Sequence, residues 1–163
     1  MQSPLKILFI DDHTGLRDGM IFMLQNKNPS LLIIGVGTIP EAVKKLNEDK
    51  IVILDLNLDG ENSLESVSKM RGVKSDIFIL VYTMYNDDIH VEHALLIGVQ
   101  GFITKEASVD EVEKAILAVG LGNTYYNSVA SKVLRTLLPQ NKGKHIVRDE
   151  KSYLFDNYKS LSK

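Results

Sequence analysis

Short aliphatic runs alternate along the chain with longer stretches of helical periodicity. The runs are nearly continuous in Ile, Leu, Val and Phe, which is typical of parallel strands covered on both faces. The stretches between them are long enough to form the crossover helices that parallel strands require. The pattern predicts strands at 5–10, 31–36, 51–54, 77–82 and 101–104, and helices at 14–28, 39–49, 62–71, 87–98 and 108–119.

Two of the predicted helices begin with a recognisable signal. Thr38 precedes Glu41 at the spacing of a capping box, in which the hydroxyl and the carboxylate bind free backbone N–H groups. Ser108 and Glu111 repeat that spacing at the fifth helix. Five strand–helix units predict an α/β fold with a doubly wound parallel sheet. A further amphipathic stretch at 128–138 predicts a C-terminal helical extension.

Composition and charge narrow the class of protein. The chain has 163 residues and a formal net charge of −2. A charge so close to zero argues neither for nor against binding to nucleic acid. It has no cysteine, so disulfides and thiol chemistry are excluded. No apolar run approaches the roughly 20 residues needed to cross a bilayer, and two aspartates end the run LKILFI. We therefore expect a cytoplasmic protein that does not contact the membrane.

Side chains with complementary chemistry follow four of the predicted strands. Asp11 and Asp12 follow the first strand, and Asp55 follows the third. In a flavodoxin-like (βα)5 sheet with strand order 2-1-3-4-5 these strands are neighbours, so the three carboxylates converge on one crevice. Clustered carboxylates repel one another unless a cation such as Mg²⁺ is present. With Thr83 and Lys105 at the ends of the fourth and fifth strands, the set is equipped to accept a phosphoryl group.

The stretch ILDLNLDGENSLE, residues 53–65, permits two other interpretations, and neither fits. A calcium loop that begins at Asp55 requires Glu at its twelfth position, where the chain has Ser66, and a helix rather than a strand before it. An aspartate phosphatase of the haloacid dehalogenase type requires two acids separated by one residue. In either alignment Asn57 stands where one of those acids is needed, which argues against a hydrolase.

The order of these five site residues resembles that of response regulator receiver domains, and the resemblance covers about residues 5–120. The segment VEHALLIGVQGFITK, residues 91–105, is similar to the family's fourth helix through fifth strand. GNTYYNSVASKVL, residues 122–134, resembles the region after the receiver in the NarL/FixJ (LuxR-type) branch, where a linker leads to a helix-turn-helix domain. The resemblance implies a receiver at 1–122, an extra helix at 123–138 and a linker or tail at 139–163.

No helix-turn-helix pattern is present, and the chain ends about where that domain would begin. The resemblance therefore implies that DNA is bound only through a domain absent from this chain. Two origins stay open, namely a piece of a longer transcription factor and a natural stand-alone receiver.

The resemblance also implies roles for the acids. Asp55 is the expected acceptor of a phosphoryl group from a sensor histidine kinase. Asp11 or Asp12, together with Asp55 and the backbone carbonyl of Asn57, is expected to hold Mg²⁺ or Mn²⁺. No enzymatic activity beyond self-phosphotransfer and autodephosphorylation is expected.

A conformational switch is implied for the remaining site residues. Thr83 and Lys105 are expected to contact the phosphoryl oxygens. Phe102 occupies the family's aromatic switch position and is expected to move inward when Thr83 is drawn toward the phosphate. The resemblance further implies a homodimer formed on phosphorylation.

Several residues depart from the family pattern. Met84 follows the strand-four hydroxyl where a small residue is usual, and Asp59 and Ser63 replace the usual Pro and Gly after the acceptor strand. We expect Asn57, Met84 and Tyr85 to modulate access to the acceptor. These departures keep open a second interpretation, a pseudo-receiver that acts as a protein-interaction module without phosphorylation.

The histidines offer one more candidate for a metal site. His90 and His93 share a predicted helix face, but no third ligand is evident. We interpret both, together with His13, as surface residues.

Overall fold

The aliphatic runs form a sheet of parallel strands, and the computed structural model describes residues 3–48 and 50–138 of the chain. The strands in this part of the chain are β1 (Leu5–Ile10), β2 (Leu31–Val36), β3 (Ile51–Leu54), β4 (Asn57–Leu58), β5 (Glu61–Asn62), β6 (Phe78–Thr83), β7 (Gly101–Thr104) and β8 (Tyr125–Tyr126). The helices are α1 (Thr14–Lys27), α2 (Ile39–Lys45), α3 (Ser66–Val73), α4 (Asp88–Ile97), α5 (Val109–Gly120) and α6 (Ser128–Leu137), with a 3₁₀ turn at Ser63–Glu65.

The sheet has the order β2-β1-β3-β6-β7-β8, and every neighbouring pair is parallel. Because β6 and β7 are the fourth and fifth predicted strands, the predicted order 2-1-3-4-5 is confirmed. The sequence pattern did not predict β8, which adds a sixth strand at the β7 edge.

Successive residues of the central strands enter two separate cores on opposite faces of the sheet. Leu8 and Ile10 of β1 join buried residues of α2, α3, α4 and α6. Ile7 and Phe9 join buried residues of α1 and α5. Both faces of each central strand are therefore covered, which explains why these strands are continuously aliphatic rather than alternating.

The segment after α5 continues the sheet and then packs on it. Tyr125 N–H donates to Gln100 O at 3.0 Å, and Asn127 N–H donates to Phe102 O at 3.0 Å. The Asn127 side chain accepts from Ala130 N–H at 2.8 Å, so it caps the first turn of α6. α6 then packs against α4. The predicted helical extension is therefore present and is attached to the edge of the sheet.

The second helix is shorter than the predicted span of 39–49. α2 ends at Lys45, since Leu46 leaves the helical conformation with a ψ of 71°, and Asn47 N–H then donates to Lys45 O at 2.9 Å. Leu46, which follows the helix, is only 3% exposed and belongs to the core. The backbone of Leu46 is not helical, and in this conformation its side chain is buried beyond the end of α2.

The third helix begins later than the predicted span of 62–71, because a hairpin ends at Asn62 and a 3₁₀ turn occupies Ser63–Glu65. β4 pairs with β5 in antiparallel fashion, and the two turn residues, Asp59 and Gly60, have φ values of 52° and 77°. Positive φ at both central residues is the hallmark of a type I′ turn, for which Asp-Gly is a favoured sequence. The 3₁₀ turn follows, and the α-helix begins only at Ser66.

The predicted linker or tail at 139–163 lies outside the described residues. Within residues 3–48 and 50–138, no helix combines the length and the apolar character needed to cross a membrane.

Candidate functional site

The carboxyl ends of the central strands meet at one edge of the sheet and bring the predicted site residues together. Asp11 N–H donates to Val36 O at 3.1 Å, and Asp55 N–H donates to Ile10 O at 3.1 Å. Each aspartate therefore continues the ladder of its neighbouring strand by one residue. Both side chains are buried, with residue exposures of 0% for Asp11 and 2% for Asp55.

Lys105 links the two buried aspartates. Its Nζ lies 2.7 Å from Asp11 Oδ2 and 2.8 Å from Asp55 Oδ2, and its side chain is only 4% exposed. The backbone N–H of Lys105 donates to Thr83 O at 2.9 Å, so the backbone of Lys105 is held beside the end of β6. Burial acts to lower the pKa of the Lys105 ammonium, but the hydrogen bonds to the two carboxylates outweigh it and raise that pKa.

The site has more negative charge than Lys105 can balance. Three carboxylates, those of Asp11, Asp12 and Asp55, lie together at the site, and this one ammonium contacts two of them. Asp11 Oδ2 contacts the Lys105 ammonium. Asp12 Oδ1 is buried yet accepts no hydrogen bond from the part of the chain that the structure describes. A buried oxygen without a donor and an excess of carboxylate both fit a bound metal ion, and donor atoms from Asp11, Asp12, His13 and Asp55 lie within 4.8 Å of one another.

The hairpin after Asp55 shapes the other side of the site. Asn57 N–H donates to Asp55 Oδ1 at 3.2 Å, and Asp59 N–H donates to Asp12 Oδ2 at 2.9 Å. The buried Ser63 hydroxyl donates to the backbone carbonyl of Asp55. The two residues of this loop that depart from the family pattern, Asp59 and Ser63, therefore contact the site through the Asp59 backbone N–H and the Ser63 hydroxyl.

The end of β6 supplies a buried hydroxyl beside an exposed thioether. Thr83 is fully buried, and its Oγ1 accepts from Tyr85 N–H at 3.3 Å. Met84, between them, is 69% exposed. Tyr85 stacks on His90 with ring centroids 4.2 Å apart, and His90 Nδ1 lies 2.6 Å from Asp87 Oδ2. These contacts fix the conformation of the β6–α4 loop, and the first of them is made by the Thr83 hydroxyl.

Phe102, the predicted switch residue, is fully buried among core residues that include Val91, Ala94 and Ala130. Its backbone carbonyl accepts the hydrogen bond from Asn127 described above. Phe102 thus occupies the inward position in this structure, and its strand is bonded directly to the segment that leads into α6.

His13, interpreted from the sequence as a surface residue, lies at the rim of the site. Its side chain is 62% exposed, as expected of a surface residue, yet its Nδ1 lies 3.1 Å from Asp11 Oδ1 and 3.1 Å from Asp12 Oδ1. Its position directly after the two aspartates was the available signal. His90 is instead paired with Asp87, and His93 is exposed on α4.

Comparison with known proteins supports one family. The model of the response regulator receiver domain matches residues 7–117. The nitrate/nitrite response regulator protein NarL of Escherichia coli is 30% identical over 144 residues, which are 86% of this chain and 66% of NarL. The oxygen regulatory protein NreC of Staphylococcus epidermidis is 29% identical over 163 residues, or 98% of this chain and 72% of NreC. The chain therefore spans just under two thirds of the length of NarL.

A solved structure supports the same fold. The two-component response regulator of the LuxR family from Aurantimonas sp. superposes with a TM-score of 0.73 at 23% sequence identity. The superposition covers 82% of this chain and 97% of that one.

Proposed function

This chain belongs to the response regulator receiver domain family, and from that premise we propose that it accepts a phosphoryl group on Asp55 from a sensor histidine kinase. The observation that carries the proposal is the way Asp55 is held. Asn57 N–H binds its Oδ1 at 3.2 Å, and the Lys105 ammonium lies 2.8 Å from its Oδ2. A buried carboxylate with both oxygens fixed is oriented for attack before any donor arrives.

In the proposed reaction a carboxylate oxygen of Asp55 forms a bond to phosphorus. The bond between phosphorus and the imidazole nitrogen of the kinase phosphohistidine breaks, and the departing imidazole takes up a proton. The product is an acyl phosphate on Asp55. Lys105 and Thr83 contact the phosphoryl oxygens, so an ammonium and a hydroxyl stabilise charge that builds up during transfer.

The acidic cluster of Asp11, Asp12 and Asp55, with the backbone carbonyl of Asn57, would hold Mg²⁺ or Mn²⁺. Such an ion, when bound, neutralises negative charge on the phosphoryl oxygens. The buried and unbonded Asp12 Oδ1 supports this assignment.

The conformational response begins at Thr83. Its Oγ1 accepts from Tyr85 N–H in this structure, and its O–H would donate to a phosphoryl oxygen on Asp55. Drawing the hydroxyl toward Asp55 would pull on the contact with Tyr85 and shift the loop that leads into α4. Phe102 is already buried in the core cluster that also contains Val91 and Ala94 of α4, so the shift of Thr83 would hold it in this inward position. The energy source is the new charge-assisted hydrogen bonding at Asp55.

The route from the site to the C-terminal segment is short. Phe102 O binds Asn127 N–H, Asn127 caps α6, and α6 packs against α4. A rearrangement of Phe102 and α4 therefore changes the position of α6. We include in the proposal that this displacement controls an output module that binds DNA, and that phosphorylation promotes a homodimer. A cytoplasmic location belongs to the same proposal, because the kinase's phosphoryl donor, ATP, is found there.

Site mapping tests the assignment of Asp55. Phosphoramidate supplies a phosphoryl group through a phosphorus–nitrogen bond, and borohydride then reduces an aspartyl phosphate to homoserine, which tandem mass spectrometry locates. Homoserine is expected at position 55 and in no other position, and it should be absent from an Asp55→Asn variant that retains its fold.

A second candidate function, the pseudo-receiver, is favoured by the exposed Met84 beside Thr83. It predicts that no homoserine forms with any phosphoryl donor. Homoserine at another aspartate would also overturn the proposal.

A further inference from the structure

The ring of His13 lies at the rim of the acidic cluster, with one nitrogen directed at the carboxylates. His13 N–H donates to Asp11 Oδ1 at 2.9 Å, which fixes the backbone just before α1. The ring Nδ1 is 3.1 Å from Asp11 Oδ1, 3.1 Å from Asp12 Oδ1 and 3.9 Å from Asp55 Oδ2. Three carboxylates therefore surround a single imidazole nitrogen.

These separations are those of donor atoms around one ion. Ligands about 2.1 Å from an octahedral ion stand about 3.0 Å from their neighbours and about 4.2 Å from the opposite ligand. The distances from His13 Nδ1 to Asp11 and Asp12 match neighbouring ligands. The distance to Asp55 lies between the two values, so adjustments of a few tenths of an ångström would complete the set.

The contact between His13 and Asp12 carries a second piece of evidence. Asp12 Oδ1 is buried and lies 3.1 Å from His13 Nδ1, yet it accepts no hydrogen bond within the described part of the chain. The same Nδ1 is also at hydrogen-bonding distance, 3.1 Å, from Asp11 Oδ1, to which it donates in the tautomer that carries its proton on Nδ1. In the tautomer with the proton on Nε2, a shared cation satisfies Nδ1 and Asp12 Oδ1 together.

We propose that His13 is a ligand of the cation site, through Nδ1, and gives it a mixed nitrogen and oxygen donor set. Carboxylate and carbonyl oxygens suit Mg²⁺ and Mn²⁺, whereas imidazole suits ions such as Ni²⁺, Cu²⁺ and Zn²⁺. His13 therefore selectively strengthens the binding of these transition-metal ions. The inference rests on the proposed function in one respect, since that function assigns a cation to the same cluster.

The test measures metal binding alone, on the unphosphorylated chain. Ni²⁺ and Mg²⁺ are titrated calorimetrically into the unaltered protein, His13→Ala and His93→Ala, the last removing an exposed histidine of α4 as a matched control. Loss of a direct ligand should weaken Ni²⁺ binding at least about tenfold in His13→Ala. Mg²⁺ binding should change much less in that variant, and His93→Ala should behave like the unaltered protein.

Three results would overturn the inference. Unchanged Ni²⁺ affinity in His13→Ala would remove the histidine from the site, and higher affinity would make it a competitor of the ion. An equal loss of Ni²⁺ and Mg²⁺ affinity would indicate that His13 only positions the aspartates. Phosphorylation of Asp55 is measured in a separate experiment. If Ni²⁺ binding depends on His13 but no acyl phosphate forms on Asp55, the proposed function is rejected and the inference about His13 stands.

Discussion

Lys105 places its ammonium nitrogen 2.8 Å from Oδ2 of Asp55, although fifty positions separate the two residues in the chain. The same nitrogen contacts Asp11 at 2.7 Å, so one cation compensates two buried anions. Lys105→Ala would leave both carboxylates buried beside Asp12. We expect the free energy of unfolding in EDTA to fall by about 3 kcal/mol, because removing one partner of a buried ion pair leaves uncompensated charge.

Urea denaturation measures this loss, and Mg²⁺ should restore part of it by taking the place of the ammonium. The double variant Lys105→Ala/Asp55→Asn should be more stable in EDTA than Lys105→Ala. Equal stability of Lys105→Ala and the unaltered protein would refute the charge account. In phosphorylation assays Lys105→Ala should still accept some phosphoryl group, but the response of α4 should weaken.

Arg71 holds the end of α4 in place. Its guanidinium donates to Ile97 O at 2.7 Å and to Gly98 O at 2.9 Å, so it satisfies carbonyls that the helix leaves free. Burial lowers the pKa of Arg71 from its usual value. Arg71→Met should reduce the free energy of unfolding by about 1–3 kcal/mol. Lys69→Met, an exposed position on the same helix, is the control.

Hydrogen exchange locates the effect of Arg71→Met. Amides in the last turn of α4 should exchange faster in the variant. The exchange rates of β1 amides should change only as much as the loss of global stability requires. An unaltered last turn would show that Arg71 is dispensable for the position of α4.

The hairpin turn at Gly60 requires a left-handed backbone, with φ of 77° and no atom near the place of an added Cβ. Gly60→Ala should therefore cost about 1 kcal/mol through backbone strain alone. Gly72 lies in α3 with equally open space and no positive φ, so Gly72→Ala should instead stabilise by about 0.5–1 kcal/mol. Thermal denaturation of the two variants should shift in opposite directions, and a common direction would contradict the assigned turn.

α6 packs against α4 and places a small apolar face in the core cluster that contains Phe102. Val133 is 6% exposed in that contact, whereas Lys132 next to it is exposed. Val133→Asp should release α6, because an isolated charge is costly to bury. Exchange protection should be lost from α6 and reduced in α4, while Lys132→Asp leaves both protected. Full protection of α6 in Val133→Asp would argue against its packing as the link to the site.

Much of the site could be predicted from the sequence because parallel strands impose its geometry. Once five strands are placed in order, the residues that follow them must share one edge of the sheet. Asp11, Asp55 and Lys105 meet there for that reason. Their chemistry needed no knowledge of loop conformation, since each follows its strand directly.

The missed features depend on loops and on tertiary contacts. Asp59-Gly60 is a good type I′ sequence, but the flanking strands of two residues lack the hydrophobic alternation that makes a hairpin readable. α2 was predicted too long because Leu46 continues the apolar pattern although it enters the core beyond the helix. β8 is defined by its hydrogen bonds to β7, and the place of His13 in the site is defined by its distance from two aspartates. Neither relationship produces a periodic pattern in the sequence.

The central claim is that Asp55 accepts a phosphoryl group with the help of a cation. Intact mass spectrometry after incubation with acetyl phosphate and Mg²⁺ tests it most directly, beside an Asp55→Asn control and a sample in EDTA. The account predicts an added mass of one phosphoryl group that requires the divalent ion and is absent from the control. An unmodified mass in the folded protein with acetyl phosphate and with a phosphorylated kinase, or an adduct that persists in Asp55→Asn, would contradict it.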